Sequence, residues 1–473
     1  MLVATRVAML VVLFLFIGLV SSQRQYLKQD RKASWEVGDP NIGPTYVQPE
    51  QVHLALGDNP DEFTVTWLTF SDVKTSYVEW SSNKNPYQKA IALTTLFEAD
   101  GVQRYIHRAV LKPVAPGVEY EYRVGSDYGI SSKFTFNGLK ERPEGGYRYA
   151  VFGDLGNENG RSLGQLQRGA QDGLYDVVLH VGDMAYNLNE DRGKMGDEFL
   201  RQIETIAAYL PYQVVPGNHE NAGNFTHYIN RFTMPKSEHN LFYSFDLGHV
   251  HFVGFSTEFY FYYNEYGRDS IQTQWNWLVE DLKKANENRQ NVPWIITMGH
   301  RPMYCSTKDS DDCTYLESII RTGEPKTHKY ALEKLFYDNG VDVAFWAHEH
   351  TYERLWPVYD RVVYNGSSSA YVDPPAPIHL LSGSAGCREY TDQFNKPGVW
   401  DAFRSSNYGF GLMHVYNRTH INFKQLSAVN STTEDEIWIV KNRHAPYGKQ
   451  EMRKLKQQGT YIPYDTKNPR EDM

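Results

Sequence analysis

Hydrophobic and polar positions change their spacing near residue 147, and this change divides the chain into two kinds of structure. From residue 46 to residue 142, short β-branched and aromatic runs alternate with clusters of Gly, Pro, Asn and Asp. Such runs predict strands, and short strands at this spacing favour a β-sandwich of the fibronectin-III-like kind. This first unit offers no cluster of catalytic residue types.

Strands and helical stretches alternate after residue 147. Apolar runs typical of buried strands occupy residues 148–152, 177–181, 213–215, 294–298 and 341–346. Helical patterns lie at residues 162–172, 197–208, 271–286 and 330–339. The alternation predicts βαβ units and an α+β or α/β fold class. Further strands are expected over residues 376–440, and the polar segment 441–473 is expected to be a loosely ordered tail.

The first 22 residues have the order of a secretory signal peptide. Arg6 precedes an apolar run over residues 7–20, and two serines follow that run. An uncleaved membrane anchor is the alternative, but the run is short for a membrane span and polar residues come next. We expect cleavage and a soluble, secreted protein, with the lysosome as a second destination.

Sequons and cysteines agree with export. Four Asn-X-Ser/Thr sequons begin at Asn224, Asn365, Asn417 and Asn430. Of the 3 cysteines, Cys305 and Cys313 flank a polar loop and can pair in an oxidising compartment. Cys387 then remains, either as a buried thiol or as a bridge between subunits. The net charge of -9 and the lack of a basic stripe argue against nucleic acid as a partner.

Polar donors follow five of the predicted strands directly. They are Asp154, Asp183 with Tyr186, Asn218 with His219, His300, and His348 with His350. Each junction alone has a common structural meaning, such as a Gly-Asp turn or a hydrogen-bonded histidine. Five of them on strands of one α/β unit predict a single crevice, because ligands bind beyond the carboxyl ends of such strands.

This mixture of carboxylate, imidazole, amide and phenol suits two transition-metal ions that share one carboxylate. Such ion pairs lie roughly 3.5–4 Å apart and hold both the attacking and the leaving oxygen in phosphoryl displacement. A free phenol has a pKa of about 10, so only a strongly Lewis-acidic ion holds Tyr186 as phenolate near neutral pH. Fe(III), which prefers oxygen ligands, is the natural candidate.

The five blocks around these donors resemble those of the purple acid phosphatases, which are dinuclear calcineurin-like metallophosphoesterases. The resemblance runs from about residue 46 to residue 440 and is closest to the long animal form. It implies an N-terminal sandwich over 46–142, a metallophosphoesterase domain over 147–356 whose β-sandwich is flanked by helices, and a C-terminal part over 376–440. Tyr186 is the discriminating residue, since most metallophosphoesterases lack it.

The resemblance also implies a role for each donor. Asp154, Tyr186 and His350 would hold Fe(III), Asp183 would bridge, and Asn218, His300 and His348 would hold a divalent iron, zinc or manganese ion. His219 matches a residue that faces the phosphate as acid or hydrogen-bond donor. The implied reaction is hydrolysis of small phosphate monoesters by metal-bound hydroxide, with an acidic optimum.

Two departures from the family pattern bear on substrate binding. Ala347 stands where a glycine commonly precedes the last His-X-His. The stretch 304–315 lacks the histidines of plant relatives and carries Asp309, Asp311 and Asp312 instead. By elimination we expect His219 to be the proton donor, and Arg301 is either a phosphate contact or a structural residue.

Two other functions compete with a secreted acid phosphatase. One is a phosphodiesterase with two divalent ions, which Tyr186 argues against. The other is a secreted binding protein that has lost catalysis, which the presence of all seven expected ligands argues against. An iron pair that cycles with peroxide is a secondary activity that the sequence does not test. Either a monomer or a homodimer fits the sequence.

Overall fold

A computed structural model of the chain describes residues 45–82, 86–308, 313 and 318–463. The predicted signal peptide, the three loop aspartates Asp309, Asp311 and Asp312, and residues 464–473 lie outside these ranges. Within them, none of the helices combines the length and the apolarity that a membrane crossing requires.

Two antiparallel four-stranded sheets form the N-terminal unit. Their strands in chain order are β1 Glu50–Leu56, β2 Phe63–Thr69, β3 Ser76–Ser82, β4 Gln88–Ile91, β5 Leu93–Ala99, β6 Val102–Leu111, β7 Glu119–Ser126 and β8 Phe134–Asn137. The sheet orders are β1-β2-β6-β5 and β4-β3-β7-β8. Alternate residues of these strands face inward, so that Trp67, Trp80 and Tyr122 are buried in a common core. The predicted sandwich is confirmed.

Two mixed sheets form the larger unit. Their strands are β9 Tyr147–Phe152, β10 Val177–Val181, β11 Tyr212–Val215, β12 Tyr243–Leu247, β13 Val250–Gly254, β14 Trp294–Met298, β15 Val343–Trp346, β16 Tyr352–Leu355, β19 Ile378–Ser382, β20 Asp401–Ser405, β21 Gly409–Val415, β22 His420–Ser427 and β23 Thr433–Val440. The first sheet has the order β11-β10-β9-β21-β22-β23 and the second the order β12-β13-β14-β15-β19-β16-β20. A third sheet joins β17 Val358–Tyr359, β18 Val362–Val363 and β24 Thr460–Tyr461.

Helices pack against these sheets through apolar side chains. They are α1 Leu163–Gln171, α2 Lys194–Ala207, α3 Ala222–Arg231, α4 Tyr263–Tyr266, α5 Arg268–Glu287, α6 Ile319–Thr322, α7 Leu332–Asp338 and α8 Lys449–Gln458. Short 3-10 turns occupy Thr45–Val47, Asn218–Glu220 and Glu258–Tyr260. The four predicted helical stretches correspond to α1, α2, α5 and α7, and the predicted fold class is confirmed.

The two large sheets pack face to face through aromatic side chains. Tyr149 of β9 lies 4.9 Å from Phe252 of β13, and Phe345 of β15 lies 5.7 Å from Phe423 of β22, measured between ring centroids. Strands β9, β10 and β14 are buried along most of their length, because each lies between its partner sheet and a helical layer. This double burial explains their continuous apolar runs.

The expectation of a loosely ordered tail after residue 440 was wrong for residues 449–461. Met452 and Leu455 stand one helical turn apart in α8, and Leu455 packs in a small core with Tyr337, Tyr364 and Tyr447. The segment is polar on average, but these few apolar side chains lie on one face of the helix. That arrangement buries enough surface to order a helix whose composition suggests disorder.

Candidate metal centre

The structure brings all seven expected metal ligands and His219 to one edge of the molecule. Strands β9, β10 and β11 run parallel in one sheet and β14 and β15 run parallel in the other. The contacts Tyr186–His350 and Asp183–His300 join donors from the two sheets, so the carboxyl ends of these strands lie together. Each of the five strands is followed within five residues by one or more of the donors. The crevice expected from the five junctions therefore forms.

Asp154, Tyr186 and His350 make up what we call the buried donor group. The Tyr186 hydroxyl lies 3.1 Å from Asp154 Oδ1 and 2.7 Å from His350 Nε2. His350 Nε2 is 3.6 Å from the same Asp154 oxygen. All three residues are at most 7% exposed, so this group is largely shielded from solvent.

Asn218, His300 and His348 make up the open donor group. His300 Nε2 lies 3.2 Å from Asn218 Oδ1 and 3.3 Å from His348 Nδ1. His300 is fully buried, whereas Asn218 and His348 are only half-buried. This group therefore faces the solvent side of the crevice.

Asp183 lies beside both groups. Its Oδ2 is 3.1 Å from His300 Nε2, and its carboxylate is close enough to Asp154 and Tyr186 to raise the pKa of each. Asp183, His300 and His348 can place one ligand atom each within 4.8 Å of one another. A carboxylate in this position is available to both groups.

Gly182 and Gly217 each precede a donor residue, and neither position has room for a Cβ atom. A Cβ on Gly182 would lie 2.4 Å from His300 Nδ1, and one on Gly217 would lie 2.1 Å from Asp183 Oδ1. The departure at Ala347 has a similar explanation. Its methyl group fills the space that a Cβ on Gly153 would need, since the two would lie 2.4 Å apart. Glycine at 153 therefore permits alanine at 347.

Four donor residues adopt left-handed backbone conformations. The φ angles are 59° at Asp154, 49° at Asp183, 56° at Tyr186 and 72° at His348. Non-glycine residues in this region cost of order 1–3 kcal/mol each and concentrate at functional sites. The backbone of the crevice is thus strained so that these side chains point inward.

Glu220 holds two of the donor loops together, and sequence reasoning assigned it no role. Its carboxylate accepts hydrogen bonds of 2.9 Å each from the backbone N–H groups of Asp183, Met184 and Gly217. The side chain is only 2% exposed. Glu220 does follow His219 directly, but no spacing pattern distinguishes such a residue from an ordinary turn carboxylate.

His219 lies over the ring of Tyr186, with 4.3 Å between ring centroids. Its backbone N–H donates to Asp183 Oδ1, and its Nδ1 is 2.8 Å from Asn187 Oδ1. Its Nε2 lies 3.7 Å from a Glu389 carboxylate oxygen and 3.8 Å from Asp183 Oδ2. Neither Asn187 nor Glu389 was found from the sequence.

The electrostatics of the donors fit a pair of cations. Burial, with the nearby Asp183 carboxylate, raises the pKa of Asp154, and burial with the Asp154 carboxylate raises the pKa of the Tyr186 phenol. Burial opposes ionisation of Asp183, but the imidazoles of His300 and His219 lower its pKa. Burial lowers the pKa of His300, but the Asp183 carboxylate outweighs this effect and raises the pKa to about 10. Cations would relieve the crowding of negative oxygens and favour a phenolate.

The cysteines and sequons lie outside the two donor groups. A disulfide joins Cys305 to Cys313. Cys387 is a buried free thiol, with its sulfur 3.6 Å from His350 Nδ1. Asn224, Asn417 and Asn430 are exposed and Asn365 is half-buried.

Curated relatives match along most of the chain. An acid phosphatase type 7 from Danio rerio is 48% identical over 415 residues, covering 85% of this chain and 94% of the relative. The Homo sapiens acid phosphatase type 7 is 46% identical over 408 residues, covering 85% and 93%. A purple acid phosphatase (number 21) from Arabidopsis thaliana is 31% identical over 413 residues, covering 82% and 84%.

The chain belongs to the purple acid phosphatase family. Residues 147–352 match the calcineurin-like phosphoesterases, residues 49–137 the purple acid phosphatase N-terminal domain, and residues 376–436 the iron/zinc purple acid phosphatase-like protein C family. The purple acid phosphatase fold also appears in a solved structure, that of the enzyme from yellow lupin (Lupinus luteus) seeds. That structure gives a TM-score of 0.70 at 24% identity, covering 83% of this chain and 74% of the lupin chain.

Proposed function

We propose that this purple acid phosphatase is a secreted enzyme that hydrolyses small phosphate monoesters with Fe(III) and a divalent ion. The observation that carries the proposal is the pairing of a phenol-containing buried donor group with an imidazole-rich open donor group. Asp183 lies beside both groups, at 3.1 Å from His300. Family membership makes a dinuclear metal centre the expected occupant.

The donor chemistry assigns one ion to each group. Asp154, Tyr186 and His350 would hold Fe(III), because a phenolate and a carboxylate are hard, charged oxygen ligands. Asn218, His300 and His348 would hold iron, zinc or manganese in its divalent state, and Asp183 would be shared. When bound, the two ions supply Lewis acidity to a water molecule and to the phosphate oxygens.

His219 would supply a proton to the departing alkoxide. Its backbone N–H and Nδ1 are held by Asp183 and Asn187, which fixes the ring over Tyr186. Nε2 is therefore the nitrogen left to act toward a substrate. General acid catalysis of this kind contributes typically about 10²–10⁴-fold to a rate.

Export is part of the proposal. The predicted signal peptide over residues 1–22, the disulfide between Cys305 and Cys313, and the four sequons all suit an oxidising compartment. We also propose the domain division 46–142, 147–356 and 376–440, and either a monomer or a homodimer as the mature form.

The test uses full-length protein purified from culture medium. Its iron and divalent-metal contents are measured, and phosphate monoesters and diesters are compared as substrates from pH 4 to pH 9. The proposal expects two metal ions per chain, a preference for monoesters and best turnover below neutrality. A diester preference with two divalent ions would support the phosphodiesterase instead. Full metal occupancy without turnover of either substrate would support the binding protein.

A further inference from the structure

A line of hydrogen bonds runs from His219 to the loop that follows β19. Nδ1 of His219 lies 2.8 Å from Asn187 Oδ1, and Asn187 Nδ2 donates to Glu190 Oε1 at 2.8 Å. Both carboxylate oxygens of Glu190 accept from Arg388, again at 2.8 Å each. Asn187 and Glu190 follow β10, whereas Arg388 follows β19 of the other sheet. We call Asn187, Glu190 and Arg388 the support residues of His219.

Each contact in this line permits only one direction of donation. The Arg388 guanidinium carries donors only, so Glu190 accepts with both of its oxygens. Hydrogen bonds from Arg388 and Asn187 lower the pKa of Glu190 to about 2, which keeps it a carboxylate. A carboxylate cannot donate, so the Asn187 amide turns its NH2 group toward Glu190 and its oxygen toward His219. Nδ1 of His219 therefore carries a hydrogen and donates it.

The backbone keeps the support residues in place. A turn brings Asn187 and Glu190 together, because the Glu190 backbone N–H donates to the Asn187 carbonyl at 3.0 Å. Asn187 has a left-handed backbone with a φ of 82°, a conformation in which asparagine is enriched. All three support residues are half-buried, so water has limited access to the line and competes less for its hydrogen bonds.

The hydrogen on Nδ1 decides which proton His219 can give away. A second proton can then lie only on Nε2, which is 3.8 Å from Asp183 Oδ2 at the metal crevice. When that Nε2–H bond breaks, its electron pair stays on nitrogen and the proton joins the leaving alkoxide oxygen. A neutral imidazole with its Nδ1 hydrogen remains. An Asn187 amide turned the other way would oppose N–H to N–H and disfavour the protonated ring.

We propose that Glu190 is a positioning residue that, held by Arg388, orients the Asn187 amide and so keeps the transferable proton of His219 on Nε2. This inference rests on the proposed function of His219 as the proton donor. Leaving groups differ in their need for that proton. An alkoxide is a strong base and needs it, whereas 4-nitrophenolate is a weak base and departs without it. The support residues therefore matter most for alkyl phosphates.

The experiment measures kcat and KM with glycerol 2-phosphate and 4-nitrophenyl phosphate, and metal content by elemental analysis. Glu190→Gln keeps the side-chain size but offers Asn187 both a donor and an acceptor, so the Asn187 amide is free to turn. Asn187→Gly removes the amide and accepts the left-handed backbone. Glu79→Gln is the matched control, because Glu79 also pairs with an arginine, Arg123, but lies in the N-terminal sandwich.

Partners that orient a functional histidine typically contribute about 10–100-fold. The ratio of kcat for the alkyl ester to kcat for the nitrophenyl ester should therefore fall by this factor in Glu190→Gln. Asn187→Gly should show at least the same fall. KM and metal content should match wild type in both variants, and Glu79→Gln should match wild type throughout.

A ratio unchanged in Glu190→Gln would overturn the inference, whether both esters slow equally or neither slows. Should Glu190→Gln fail to fold, an unchanged ratio in Asn187→Gly has the same meaning.

His219→Ala separates this inference from the proposed function. A fall in the ratio in His219→Ala but not in Glu190→Gln would disprove only the role of the support residues. An unchanged ratio in His219→Ala would show that His219 is not the proton donor, and would disprove both that part of the proposed function and this inference. Metal-loaded wild type that hydrolyses neither ester would contradict the proposed function as a whole, and this inference with it.

Discussion

The two donor groups differ in both composition and surroundings. Asp154, Tyr186 and His350 are shut away from solvent, and Cys387 packs against His350. Asn218 and His348 of the open donor group are half-buried, and Arg301 lies against His348. From this difference we expect the two groups to hold ions with different roles. The buried group suits an ion that stays in place, and the open group suits an ion that shares its surroundings with substrate.

Asp183 does not fit this comparison, because it lies beside both groups and is proposed to be shared between the two ions. Asp183→Asn removes the shared negative charge, so we expect loss of both ions and of activity. The loss should exceed the about 10–100-fold that is typical of residues that only support ligands. Metal analysis and a monoester assay check this. Retention of both ions would show that Asp183 is not shared. Asp338→Asn on the exposed face of α7 serves as the control.

Substitutions within one group should separate the two ions. His350→Ala should lose the ferric ion and its colour, whereas His348→Ala should keep the colour and lose the divalent ion. Both lose activity, since one ion alone does not serve both the water and the leaving oxygen. Elemental analysis beside a visible spectrum distinguishes them. Identical metal losses in the two variants would mean that the groups bind as one unit.

A smaller effect is expected from a residue behind the buried donor group. Asp392 Oδ2 accepts a 2.7 Å hydrogen bond from the backbone N–H of His350. Asp392→Ala should weaken iron binding by about 10–100-fold without removing the site. The measurement is iron retention against a chelator. The divalent ion should be retained as in wild type. Loss of the divalent ion with iron retained would contradict this prediction.

The strand ends that carry the donors could be predicted from the sequence, because buried parallel strands have continuous apolar runs and the polar residue after each run is conspicuous. The grouping of the donors could not be predicted from the residues alone. Tyr186 meets His350 across 164 positions of chain, so their 2.7 Å contact depends on how two sheets pack.

Most of the other features that could not be predicted from the sequence concern local conformation. The left-handed φ angle of Tyr186 is uncommon for a bulky aromatic residue, and the packed fold imposes it. Glu220 supports the site through backbone N–H groups, which leave no mark in a sequence. Helix α8 was missed because two apolar side chains, rather than average composition, decide whether it packs.

A visible absorption spectrum of the purified protein tests the proposed Fe(III)–phenolate at Tyr186 most directly. Tyr186→Phe is compared with Tyr149→Phe, a fully buried tyrosine whose hydroxyl has no hydrogen-bond partner among the described residues. We predict a purple or pink band in wild type and in Tyr149→Phe that is absent from Tyr186→Phe. A metal-loaded but colourless wild type, or a band that survives in Tyr186→Phe, would contradict the account.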